Sequence, residues 1–262
     1  IMPLLMPVVR HSRALSRLLF VALVGGPVVP VLLTWTGGYD AIVVIAIVVA
    51  VLAQDARVAW IGWFIVGFSH YAVGIAMLLA WVPMALLVST DAGAARASVL
   101  RRIAGSIAAV LFGWLLIHAL TDAWGGSTDR LALFQAIGWE NLWHAWLASM
   151  PIFVFTVLGV GWLIALQPEV RSLRPTWLLL AVSGTASLVT PLLVADETRI
   201  AALALLPAVI AWCVHVTPVV GDLAWNRLWV VAMIVPVPVV WQGSLLYAGW
   251  DGVLAFVSAL SG

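Results

Sequence analysis

Apolar residues in this chain run in long unbroken stretches, and the charged residues fall in the short gaps between them. The stretches at 18–35, 58–82, 103–120, 142–166, 176–194, 200–220 and 228–247 are each close to or above the length that crosses a bilayer. A hydrocarbon core takes about 20 apolar residues of helix. Lipid offers the backbone no hydrogen-bond partner, so crossing segments must be helices or a closed barrel. These runs are continuous and do not alternate, which predicts helices. The expected fold is therefore an all-α polytopic integral membrane protein forming a single transmembrane domain over 1–262, with about seven spans. An eighth apolar run, 41–53, has only 13 residues. At about 1.5 Å per residue it reaches roughly 20 Å, too short for a core of about 30 Å. It is expected to be re-entrant or tilted.

The arginines arbitrate the span count. If 41–53 crosses, they divide six against six between the two sides. If it dips and returns, Arg10, Arg13, Arg17, Arg96, Arg101, Arg102, Arg171, Arg174 and Arg227 share one side, with Arg57, Arg130 and Arg199 opposite. A nine-to-three excess is the ordinary cytoplasmic bias. This reading puts the amino terminus in the cytoplasm and eight of the eleven carboxylates outside. Arg10, Arg13 and Arg17 ahead of an apolar stretch resemble the start of a secretory signal. The stretch is too long for a signal core and lacks a small-x-small cleavage site, so an uncleaved first span is expected.

Composition agrees. Hydrophobic residues make up 65% of the chain, charged residues 9%, and mean hydropathy is +1.15. A soluble domain would be about one quarter charged. The net charge of +1 gives no case for nucleic acid. The lone Cys213 cannot form an internal disulfide. Every basic residue is Arg, so lysine Schiff-base chemistry is excluded. Arg-only usage is a habit of GC-rich bacterial genomes, hence the expected location in a bacterial cytoplasmic (inner) membrane. Most of the 16 tryptophans sit at predicted span ends, as interfacial belts require.

Candidate chemistry gathers around the connection 121–141. His118 and Asp122 are four residues apart at one span end, and Glu140 and His144 are four apart at the start of the next. Residues at i and i+4 share a helix face. If these antiparallel ends adjoin, two imidazoles and two carboxylates could bind a divalent metal such as zinc or iron, or work as acid and base. The competing structural reading makes them ordinary interfacial and loop residues. Arg199, in the tight turn Asp196-Glu197-Thr198-Arg199, would pair with its neighbours, cap a helix, or hold an anionic head group. His70 lies mid-span, where an ionisable group is costly and turns toward the bundle interior. With His215 it could also form a pair of axial ligands for haem b. Pro27, Pro30, Pro151, Pro191, Pro207, Pro236 and Pro238 are candidate kinks. No rhomboid-type G-x-S-G, zincin H-E-x-x-H, aspartate-rich prenyltransferase motif or Walker loop is present.

These features are most consistent with a membrane-embedded enzyme acting at the extracytoplasmic face on a lipid or lipid-linked substrate. A transporter, or a non-catalytic subunit of a larger membrane complex, is the alternative. Membrane lipid, and in the last case other membrane subunits, are the expected partners.

Overall fold

The computed structural model describes residues 13–26, 28, 40–91, 96–126, 158–193, 197–220, 238–241 and 244–247. Within them the helices are α1 (Arg13–Val24), α2 (Asp40–Leu52), α3 (Ala56–Asp91), α4 (Arg96–Ala123), α5 (Gly161–Ala165), α6 (Pro168–Arg171), α7 (Arg174–Leu193) and α8 (Glu197–Val220). By length and composition alone three segments could cross a membrane, Ala56–Ser89, Arg96–Ala123 and Arg199–Val220, the first of them only when the two arms described below are counted as one helix. The molecule is a helical membrane protein by these criteria. α8 is the central helix, with 78% of its apolar window buried, and α4 is peripheral at 22%.

The largest departure from the sequence expectation is in α3. The run 58–82 reads as one span, yet its helix breaks at His70, where φ is −156° and ψ is 75°. The break is a reversal. Trp63 and Trp81 have ring centroids 5.2 Å apart, although a straight helix would separate them by about 27 Å. A Cβ on Gly74 would lie 3.6 Å from the Cα of Gly67. Residues 56–69 and 71–91 are therefore two antiparallel arms, and glycine on either side of His70 lets them touch. The prolines do not have this effect: α3 passes Pro83, and α8 passes Pro207 and Pro218, without interruption. α1 stops at Val24, just before Gly25-Gly26-Pro27.

The direction of each helix follows from its contacts. α2 packs antiparallel to the first arm of α3, with Gly62 against Ala46 and Ala50. That arm runs parallel to α4: Trp60 abuts Gly105, Gly67 abuts Val110, and Tyr71 reaches His118. α7 and α8 are antiparallel, joined where Trp212 Nε1 donates to Thr176 Oγ1 at 3.0 Å. Asp40 on α2 meets Arg199 on α8. One end of the bundle thus carries Asp40, His70, His118, Asp122 and Arg199. The opposite end carries Arg57, Arg96, Arg101, Arg102, Arg171 and Arg174.

The short run 41–53 is a helix, α2, with Val43, Val44, Ile47 and Val48 buried. Its last carbonyls are capped from a distance, since Arg102 Nη2 donates to Ala50 O at 2.9 Å and Val51 O at 3.1 Å. Asp55 then caps α3, its Oδ1 accepting from Arg57 N–H at 2.8 Å.

Two further expectations are corrected. The span 142–166 is not continuous at its end: Gly159 takes a left-handed φ of +51°, and only the five-residue α5 follows. Residues 142–157 lie outside the described residues. Of the helix expected over 228–247, the described residues Pro238–Trp241 and Ser244–Tyr247 form an antiparallel strand pair instead, Pro238 opposite Tyr247 and Trp241 opposite Ser244. Pro236 and Pro238 each lack a backbone donor. Val239, Val240, Trp241 and Tyr247 are residue types that favour strands. The expected spans 103–120 and 200–220 lie within α4 and α8, and α7 is helical over the described part of the run 176–194.

Candidate functional site

α4 delivers His118 and Asp122 to the end of the bundle that also holds the reversal of α3. The helix finishes cleanly there. Gly125 adopts φ +69°, Gly126 N–H donates to Thr121 O at 2.9 Å, and Gly125 N–H donates to Asp122 O at 3.1 Å. This pair of bonds is the Schellman ending that a left-handed glycine permits. Asp122 projects one turn beyond His118 and is exposed, while His118 is half-buried.

The imidazole of His118 is held by two aromatic rings. Tyr71, the first residue after the break in α3, lies 5.2 Å from it, centroid to centroid. Trp114 meets it edge-on at 5.4 Å and 89°, and Tyr71 and Trp114 are 6.2 Å apart. Nothing in the sequence pattern assigns either ring a role. Trp114 lies one turn before His118 on the same helix, which the spacing shows; the approach of Tyr71 depends on the register between α3 and α4, which it does not. The imidazole thus packs between a phenol and an indole, with the Asp122 carboxylate one helical turn further on.

Glu140 and His144 lie outside the described residues. Among the described residues, no group of three or more His, Cys, Asp or Glu could hold a metal ion. The described half of the four-residue set is His118 and Asp122 alone.

Arg199, at the same end, is engaged with the start of α2. Its Nε donates to Asp40 Oδ2 at 2.5 Å and its Nη2 to Asp40 Oδ1 at 3.0 Å. This two-pronged geometry fits the flat guanidinium to a carboxylate. The Asp40 side chain is 2% exposed and that of Arg199 21%. This partner comes from 159 residues away.

His70 does not sit in the middle of a straight span but at the turning point of α3, beside Tyr71. His215 lies 16 residues beyond Arg199 on α8, about 24 Å along the axis toward the other end. The structure does not bring His70 and His215 together. A small cavity elsewhere is lined by apolar side chains of α1 and α8, including Leu23, Leu205, Leu206 and Trp212, and contains none of the candidate residues.

The class defined by this architecture is a helical membrane protein. No protein-family model, no curated protein sequence and no solved structure matches the chain.

Proposed function

We propose that this chain is a multi-pass membrane enzyme whose site lies at the end of the bundle carrying His118 and Asp122. The supporting observation is the grip of Tyr71 and Trp114 on the His118 imidazole at a helix reversal. A helix interrupted in lipid has backbone groups to satisfy, and such interruptions occur where protein or a water-lined cavity surrounds them. On this reading His118 is the acid–base group and Asp122 its carboxylate partner. Glu140 and His144 complete the set, either as further acid–base groups or as ligands of a zinc or iron ion. The flank of α4 leading to His118 exposes Leu111, Phe112 and Leu115, so a substrate arriving beside it would be a lipid or a lipid-linked molecule. Arg199, already paired with Asp40, serves this end structurally. A bacterial inner membrane, a cytoplasmic amino terminus and an extracytoplasmic site belong to the same proposal, and the uneven division of the arginines between the two sides supports the orientation.

The test joins metal analysis with lipid profiling. Purified protein is expected to carry about one equivalent of zinc or iron under the metal form of the reading, lost in His118→Ala and His144→Ala. Under either form, cells producing His118→Ala should accumulate a lipid that cells producing the wild type do not. Unchanged lipids together with wild-type metal content in both variants would overturn it.

The break at His70 favours a second reading, a transporter, because broken helices form substrate and ion sites in transporter folds. Uptake into vesicles that depends on His70, with no lipid turned over, would select it.

A further inference from the structure

We infer that the turn joining α2 to α3, residues 53–55, opens to water on the arginine-rich side of the membrane, opposite the side on which α2 begins at Asp40. This rests on the bundle spanning a membrane and not on the enzymatic reading.

Three observations carry it. The first is direction. α2 leaves the end marked by the Asp40–Arg199 pair, and its last carbonyls are held by Arg102, six residues into α4 from the opposite end. The first arm of α3 then climbs back, parallel to α4, until His70 returns the chain to the level of Asp40. The 13 residues of α2 descend about 20 Å.

The second is polarity. Gln54, Asp55, Arg57 and Arg101 are all exposed around this turn. A charged side chain at the centre of a bilayer costs about 2.5–3.5 kcal/mol by insertion scales, so this group requires water. The shortfall of roughly 10 Å against a hydrocarbon core of about 30 Å is met by local thinning of the bilayer and by the reach of the arginine side chains.

The third is the charge count. A crossing at 41–53 followed by a straight span reverses everything downstream and divides the arginines six to six. Because α3 reverses at His70, α2 can cross without that consequence. Only Arg57 changes sides, and the nine-to-three division becomes ten to two. One of the two remaining, Arg199, is neutralised by Asp40.

Cysteine accessibility tests this in a Cys213→Ser background. Gln54→Cys probes the turn, Ser172→Cys the arginine-rich end, and Trp124→Cys, at a residue 81% exposed, the other end. A membrane-impermeant maleimide is applied to intact spheroplasts and to inverted vesicles. Gln54→Cys is expected to react from the same side as Ser172→Cys and to be protected on the side where Trp124→Cys reacts. Ala53→Cys repeats the measurement should Gln54→Cys fail to accumulate. Labelling of the turn from the Trp124 side, or from neither side while both controls react, would overturn the inference. Labelling of both controls from one side would overturn it as well, because the inference requires the two ends to lie on opposite sides.

Discussion

Asp40 and Arg199 form a two-pronged ion pair between the first residue of α2 and the first turn of α8. Each sits at a helix start. The carboxylate suits the positive end of the α2 dipole, and the arginine, poorly placed at the start of α8 on its own, is neutralised by it. The pair sets two otherwise distant segments at one depth.

Breaking this pair from one side leaves a buried charge uncompensated. Asp40→Asn and Arg199→Met should each lower stability by about 3–5 kcal/mol. Replacing both, as Asp40→Leu with Arg199→Met, should recover most of the loss, because paired apolar groups carry no desolvation penalty. Thermal unfolding of the four proteins in one detergent checks the order.

Close packing of α3 on α4 depends on the missing side chain at Gly113. A Cβ there would lie 2.6 Å from both Phe64 O and Phe68 N, which are backbone atoms and cannot swing aside. Gly113→Ala should therefore destabilise by about 1–3 kcal/mol. Gly184→Ala on α7, where a Cβ meets nothing within 4 Å, should be neutral or gain up to about 1 kcal/mol from helix propensity. Parallel melts of the two variants distinguish the positions.

Arg102 should resist even a conservative change. It satisfies two carbonyls at the end of α2, and each buried group left unpaired costs about 1–3 kcal/mol. Arg102→Ala should destabilise more than Arg101→Ala, since Arg101 is exposed. Hydrogen exchange should show the loss first at residues 50–53, and uniform exchange in both variants would contradict this.

Tyr71 offers a test of the proposed site that separates ring from hydroxyl. If the ring positions His118, Tyr71→Phe should keep the lipid phenotype of the wild type and Tyr71→Ala should approach that of His118→Ala. Equal loss in both variants would assign the role to the phenol oxygen instead.

Where sequence and structure agree, hydropathy alone sufficed: the runs 103–120 and 200–220 are the cores of α4 and α8. The same index is blind to His70, because a reversal made by one residue's backbone angles leaves the apolar run intact. Gly67 and Gly74 were the available signal, since they allow the arms to touch. The partner of Arg199 was hidden for another reason. Local carboxylates at Asp196 and Glu197 were the obvious candidates, and only the three-dimensional path returns Asp40 to that end. In the last apolar run, Pro236 and Pro238 are compatible with kinks in a helix, although the residues between and after them favour strands as well. Of the candidate site, His118, Asp122 and the neighbouring Trp114 are legible from their spacing on one helix, but the approach of Tyr71 depends on how α3 packs against α4.

That fold-back underlies every assignment of residues to an end of the bundle, and one distance tests it. Val58 and Leu86 are exposed on the two arms of α3, at 40% and 37%. Spin labels at Val58→Cys and Leu86→Cys, with Cys213→Ser, report their separation in the membrane. Antiparallel arms with axes about 8–10 Å apart predict a distance below about 25 Å once label reach is added. A continuous helix would give about 42 Å, and that value would contradict the fold.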